Sequence, residues 1–94
     1  MATPILPAFM VAADEYAEFR ALMEDRDNLP KTHEEFVANL QRKLAKLREQ
    51  GVEARLVTVP LDFLRQGIEG GHIKADSNGR AAAVAIWAKR LSEN

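Results

Sequence analysis

The sequence predicts an α+β fold, with four helices packed on a minimal two-stranded sheet in the order β-α-α-β-α-α and residues 1–94 forming a single small globular domain. Three observations lead there. Apolar residues recur at helical spacing in separate stretches, two short runs suit strands instead, and proline, glycine and capping residues stand at the junctions. With 47% hydrophobic and 29% charged side chains, the chain has apolar surface for one core and a charged exterior around it. A domain of this length buries roughly 60 to 70% of the surface of its unfolded chain, so apolar surface left in water is a real cost.

The first strand is read at Ala8-Phe9-Met10-Val11-Ala12, a short apolar run after Pro4 and Pro7. From Asp14 the period becomes helical. Tyr16, Phe19, Leu22, Met23 and the stem of Arg26 make one face, which stops at Asp27-Asn28-Leu29-Pro30, where Pro30 pushes Leu29 out of helical geometry. Thr32-His33-Glu34-Glu35 has the form of a capping box: the Thr32 hydroxyl accepts an orphan amide proton and Glu35 reaches back to the Thr32 amide. The helix that follows is expected from His33 to about Gln50. Phe36, Val37, Leu40, Leu44 and Leu47 share one arc, and Gly51 stands where a left-handed terminal residue is wanted.

Val52 to Val59 alternates, with Val52, Ala54, Leu56 and Thr58 on one side and Glu53, Arg55, Val57 and Val59 on the other. This second strand should enter from the surface and finish inside. Pro60 suits the start of a short helix at Leu61–Gln66, held down by Phe63, Leu64 and Ile68. Residues Gly70 to Asp76 read as a flexible connection, and Ser77 or Asp76 caps the terminal helix. The long crossover permits parallel strands and leaves antiparallel pairing open. The expected core is Phe9, Val11, Phe19, Phe36, Leu40, Leu44, Leu56, Val57, Phe63, Val84, Trp87 and Leu91.

The terminal helix, Ser77 to Leu91, is unusual in being apolar on two sides. Val84, Trp87, Ala88 and Leu91 form one stripe, while Ala82, Ala85 and Ile86 lie opposite, beside Lys89. Either the helix runs through the centre of the molecule or its far face meets another chain. Two strands also leave outer edges that need covering. These features together point to a non-enzymatic protein–protein interaction protein, a homodimer joined through the terminal helix, with Ala82, Ala85, Ile86 and Lys89 as interface candidates, or through a strand edge.

Composition narrows the other classes. The absence of cysteine removes disulfides, thiolate metal sites and cysteine nucleophiles. Two histidines, His33 and His72, are too few for a multi-imidazole site. His33 lies on the Phe36 arc and reads as a packed first-turn residue, while His72 in the glycine loop has no nucleophile to activate, so no cofactor, metal or catalytic group is expected. The opening residues lack a charged n-region and a long apolar run, so the protein is read as cytoplasmic with no membrane segment.

A net charge of −1 argues against nucleic-acid binding, and the cations Arg42, Lys43, Lys46 and Arg48 are interleaved with Glu35 and Glu49 without aromatic neighbours. Residues 1–30 carry six acids against two arginines, leaving the remainder net basic. Asp14, Glu18 and Asp25 fall on one line of the first helix, a candidate acidic docking face for another protein, adaptor or inhibitor fashion. Lys74 with Ser77, Asn78, Gly79 and Arg80 is a candidate phosphate or carboxylate site at a helix start, although it matches neither a Walker loop nor a dinucleotide fingerprint. Arg80 opposes the helix dipole there, and a salt bridge to Asp76, Glu69 or an acid of the first helix accounts for it more simply.

Overall fold

The computed structural model describes residues 5–92; Pro4, which the sequence places ahead of the first strand, lies outside the described residues. Strand β1 (Leu6–Met10) leads through a 3-10 turn at Ala13–Glu15 into helix α1 (Tyr16–Leu22). A second 3-10 turn at Arg26–Asn28 precedes α2 (His33–Glu49), then β2 (Ala54–Thr58), α3 (Leu61–Glu69) and α4 (Ser77–Ser92). The architecture is α+β, four helices with a two-stranded parallel sheet in the order β-α-α-β-α-α.

Leu6 pairs with Ala54 and Met10 with Thr58, so β1 begins two residues earlier than its apolar run suggested. Pro7 fits inside it because every other residue of a parallel strand turns its amide away from the partner, and Pro7 occupies an outward position. Val11 leaves the ladder and is buried in the core. Helix α1 also differs from expectation. It stops at Leu22, because Met23 turns to extended geometry (φ −82°, ψ 138°) and inserts its fully buried side chain into the core.

Phe9, Val11 and Val59 belong to the principal core, with Phe19, Met23, Phe36, Leu64, Ala83 and Val84, and half-buried Val57 packs against it. Its centre is aromatic: Phe19 stacks on Phe9 at 5.4 Å between ring centroids and meets Phe36 edge-on at 5.8 Å, and Tyr16 lies 5.3 Å from Phe36. Such pairs add about 1 kcal/mol each beyond the area they bury. Helix α4 packs along β1, α2 along β2, and Ala54 and Met10 are buried on the sheet face opposite Phe9.

The punctuation works largely as the sequence implied, although among the described residues the Thr32 amide makes no return bond to the Glu35 carboxylate. The Thr32 hydroxyl accepts from the Glu35 amide at 3.2 Å, Gly51 adopts φ +80°, and His33 is half-buried with Nε2 2.7 Å from the Val11 carbonyl oxygen. Helix α3 runs on to Glu69, past the expected Gln66. The glycine connection is less free than its composition suggests. The amides of His72 and Ile73 both donate to the Gly67 carbonyl, Ile73 and Ala75 are buried in the core, and Ala75 accepts a backbone bond from Glu24 at 2.7 Å. Apolar burial thus pins a segment that lacks regular structure.

This segment crosses α4 at Gly79, where a Cβ would stand 1.6 Å from the Lys74 carbonyl oxygen. The obstruction is backbone, which cannot rotate aside. Gly79→Ala is therefore expected to destabilise the fold by about 3 kcal/mol, despite alanine's better helix propensity, and urea denaturation followed by circular dichroism measures it. Stability equal to wild type would show that the 74–76 segment is not held against α4.

Candidate functional site

Helix α4 presents its inner face through Gly79, Ala83 and Val84, with Trp87 and Ala88 half-buried. Trp87 lies 5.1 Å from the Phe63 ring, and the Arg90 guanidinium covers Phe63 at 5.0 Å. Leu91, expected in the core, is instead 54% exposed. The reason is length. Sixteen helical residues run about 24 Å, whereas the five-residue strands beneath reach roughly 17 Å, so the last turns of α4 overhang the sheet. Ala82, Ala85, Ile86 and Lys89 are on the outer side, with Ile86 45% exposed.

Beside the overhang lies an open hollow of about 980 Å³, lined by Ala85, Ala88 and Leu91 of α4 and by the run Arg55-Leu56-Val57-Thr58 of β2. Lys89 also borders it, whereas Ile86 does not. A second hollow of about 700 Å³ lies between Leu44 and Arg48 of α2 and the run Glu53-Ala54-Arg55-Leu56. The first hollow also touches Ile5 and Pro7 on the β1 side, so it spreads across the sheet beneath the overhang of α4. Strand β2 thus borders a hollow against α2 and another against α4.

The two strand edges differ. Leu6 donates its amide to Glu53 at 2.9 Å and Val59 donates to Met10 at 2.8 Å, which fixes the alternation along both strands. On β1 the outward positions are Pro7 and Phe9, and Pro7 has no amide proton to offer. On β2 the outward positions are Ala54, Leu56 and Thr58, each with both a donor and an acceptor and no backbone partner on that side among the described residues. Sequence reasoning missed this asymmetry, although Pro7 was the signal for it.

The residues proposed for an anion site are placed as follows. Lys74, Ser77 and Asn78 are exposed, and the Gly79 amide donates to Asp76 Oδ1 at 3.0 Å, so Asp76 is the capping residue. Arg80 forms a two-pronged pair with Asp25, at 2.9 and 3.0 Å, lies 3.3 Å from Met23 Sδ, and holds its guanidinium 6.0 Å from the Phe19 ring centroid. The salt bridge expected from the dipole argument exists, and its acid stands just past the end of α1. The pair is mostly buried, with 13% of the Arg80 side chain and 25% of Asp25 exposed.

The acidic candidates are not brought onto one helix face. Asp14 is exposed in the 3-10 turn, Glu18 pairs with Arg65 at 3.0 Å on the surface of α1, and Asp25 lies beyond the helix with Arg80. His72 is exposed. Among the described residues no cluster of histidine, aspartate and glutamate is arranged to hold a metal, and no helix is long and apolar enough to cross a membrane. No family model, curated protein or solved structure matches the chain.

The hydrogen bonds from Arg80 hold the Asp25 carboxyl below the usual carboxylate range. Burial pushes the Tyr16 phenol up, and its hydroxyl stays protonated to donate to the Pro30 carbonyl. Because the folded-state pKa of Asp25 is depressed, its stabilisation is complete above the unfolded value near 4 and is lost as pH falls through the folded value. Asp25→Asn should cost about 2 kcal/mol at neutral pH, and the gap from wild type should narrow as pH falls below about 4. Urea midpoints across that range measure it; a gap independent of pH would contradict the ion pair.

Proposed function

We propose that this protein is a non-enzymatic interaction module that associates with a second copy of itself through the region where α4 overhangs β2. The observation that carries the reading is the junction of exposed Leu91 with the hollow between the α4 overhang and the sheet, next to β2, whose outward backbone groups are unpaired among the described residues. Small domains seldom leave an apolar helix flank and an open strand edge side by side in water. Helix α4 supplies Ala85 and Ala88, whose short side chains allow close approach, and Lys89 gives the rim a charge. The cytoplasm is the compartment proposed, in keeping with the lack of cysteine.

Ile86 stands on the outer side of the same helix and extends the apolar surface away from the hollow. Size-exclusion chromatography with light scattering at micromolar concentration is expected to return twice the chain mass. Leu91→Glu should weaken the dimer more than Ile86→Glu, since only Leu91 lines the hollow, and neither should lower the monomer's melting temperature by more than about 3 °C because both side chains are already half in water. A wild-type monomer throughout that range removes the proposal.

A further inference from the structure

We propose that the hollow beneath the α4 overhang is a binding site for a medium-chain carboxylate, an aliphatic tail ending in a single carboxyl group. The inference goes beyond self-association and does not depend on it. Small-molecule sites are concave, mostly apolar, about 300 to 1,000 Å³ in volume, and supplied with a few polar groups that orient the ligand. At about 980 Å³ this hollow lies within that range, with Ile5, Val57, Trp87 and Leu91 in its apolar lining. Ile5 and Leu91 are 45% and 54% exposed, so a tail laid between the walls removes apolar surface from water on both sides. The short side chains of Ala85 and Ala88 leave it room.

Charge selects the head group. Arg55 from the sheet and Lys89 from α4 are the charged residues of the lining; both are exposed, and neither has an ion-pair partner among the described residues. No acid lines this hollow among the described residues. Glu53, two residues before Arg55, borders the other hollow instead, where it stands with Arg48 and Arg55 and removes the one-sided charge. An apolar trough whose charges are both positive favours a tailed anion over a neutral molecule, with the guanidinium matched to paired carboxylate oxygens and the ammonium acting as a point charge. The dimensions set the tail. The β2 wall from Arg55 to Thr58 runs about 10 Å, and the α4 wall from Ala85 to Ser92 also runs about 10 Å. An extended chain of roughly ten carbons has that length.

Trp87 is the single tryptophan of the chain and lines the hollow, so its fluorescence reports occupancy. Decanoate titrated into submicromolar protein, below the range in which self-association is measured, should shift the emission and saturate. Decanol, with the same tail and no charge, should bind about fivefold more weakly, and butyrate, with the charge and little tail, should not bind at millimolar concentration. Arg55→Gln and Lys89→Gln should each weaken decanoate about fivefold and leave decanol unchanged. Ala85→Phe, at an exposed position, should fill the hollow and block both ligands with an unchanged far-ultraviolet spectrum. No response to decanoate, equal affinity for decanoate and decanol, or decanoate binding that survives Ala85→Phe overturns the proposal. A monomeric wild type that binds decanoate overturns self-association alone, and a dimer that ignores decanoate overturns this inference alone.

Discussion

Parallel pairing of β1 with β2 is the constraint from which the rest of the molecule follows. Parallel neighbours cannot be joined by a hairpin, so α1 and α2 with their turns form the crossover that returns the chain to the same end of the sheet. A sheet of only two strands has two faces to cover and no inner strand to stabilise it. Helix α4 packs along β1 on one side and α2 along β2 on the other, and the aromatic group around Phe19 fills the space where α1 and α2 meet the strand Phe9 belongs to. Each helix is needed because the sheet alone buries too little.

Irregular segments are fixed by the same economy. The chain after α1 is tied down by Met23 in the core and by the bond from Glu24 to Ala75, and the chain before α4 by Ile73 and Ala75. The Asp25–Arg80 pair locks these two segments together at the first turn of α4. A cation at the start of a helix is unfavourable against the dipole, yet here a carboxylate with two well-placed oxygens more than offsets it. Gly79 lets the backbone at Lys74 approach the helix, so one residue without a side chain and one ion pair hold the same junction.

Covering the faces left the edges. Helices lie over a sheet and do not cap the hydrogen-bonding groups along its sides, which is why the β1 edge relies on Pro7 and the β2 edge stays open. The overhang of α4 follows from a mismatch of lengths between a helix and the shorter strands it covers. Both features lie next to each other, so the surface proposed for a partner is a by-product of how the core was assembled. Asp14, Glu18 and Asp25 illustrate the opposite case, in which residues aligned by a continuous helical period separate once Met23 ends the helix.

The local signals in the sequence determined the elements and their order. The Thr32 cap, Gly51, the alternation of Val52 to Val59 and the helical period of Phe36 to Leu47 are properties of adjacent residues, and steric and hydrogen-bonding rules act on them directly. The apolar flank of α4 was legible for the same reason. Tertiary structure alone decided the direction of strand pairing, the partner of Arg80, the end of α1 at Met23 and the exposure of Leu91. Each depends on the relative length or position of elements far apart in the chain: where β1 meets β2, how far α4 outruns the strands, which acid the fold brings to Arg80. Periodicity tells a side chain which face of its own element it shares, and only packing determines what, if anything, lies against that face.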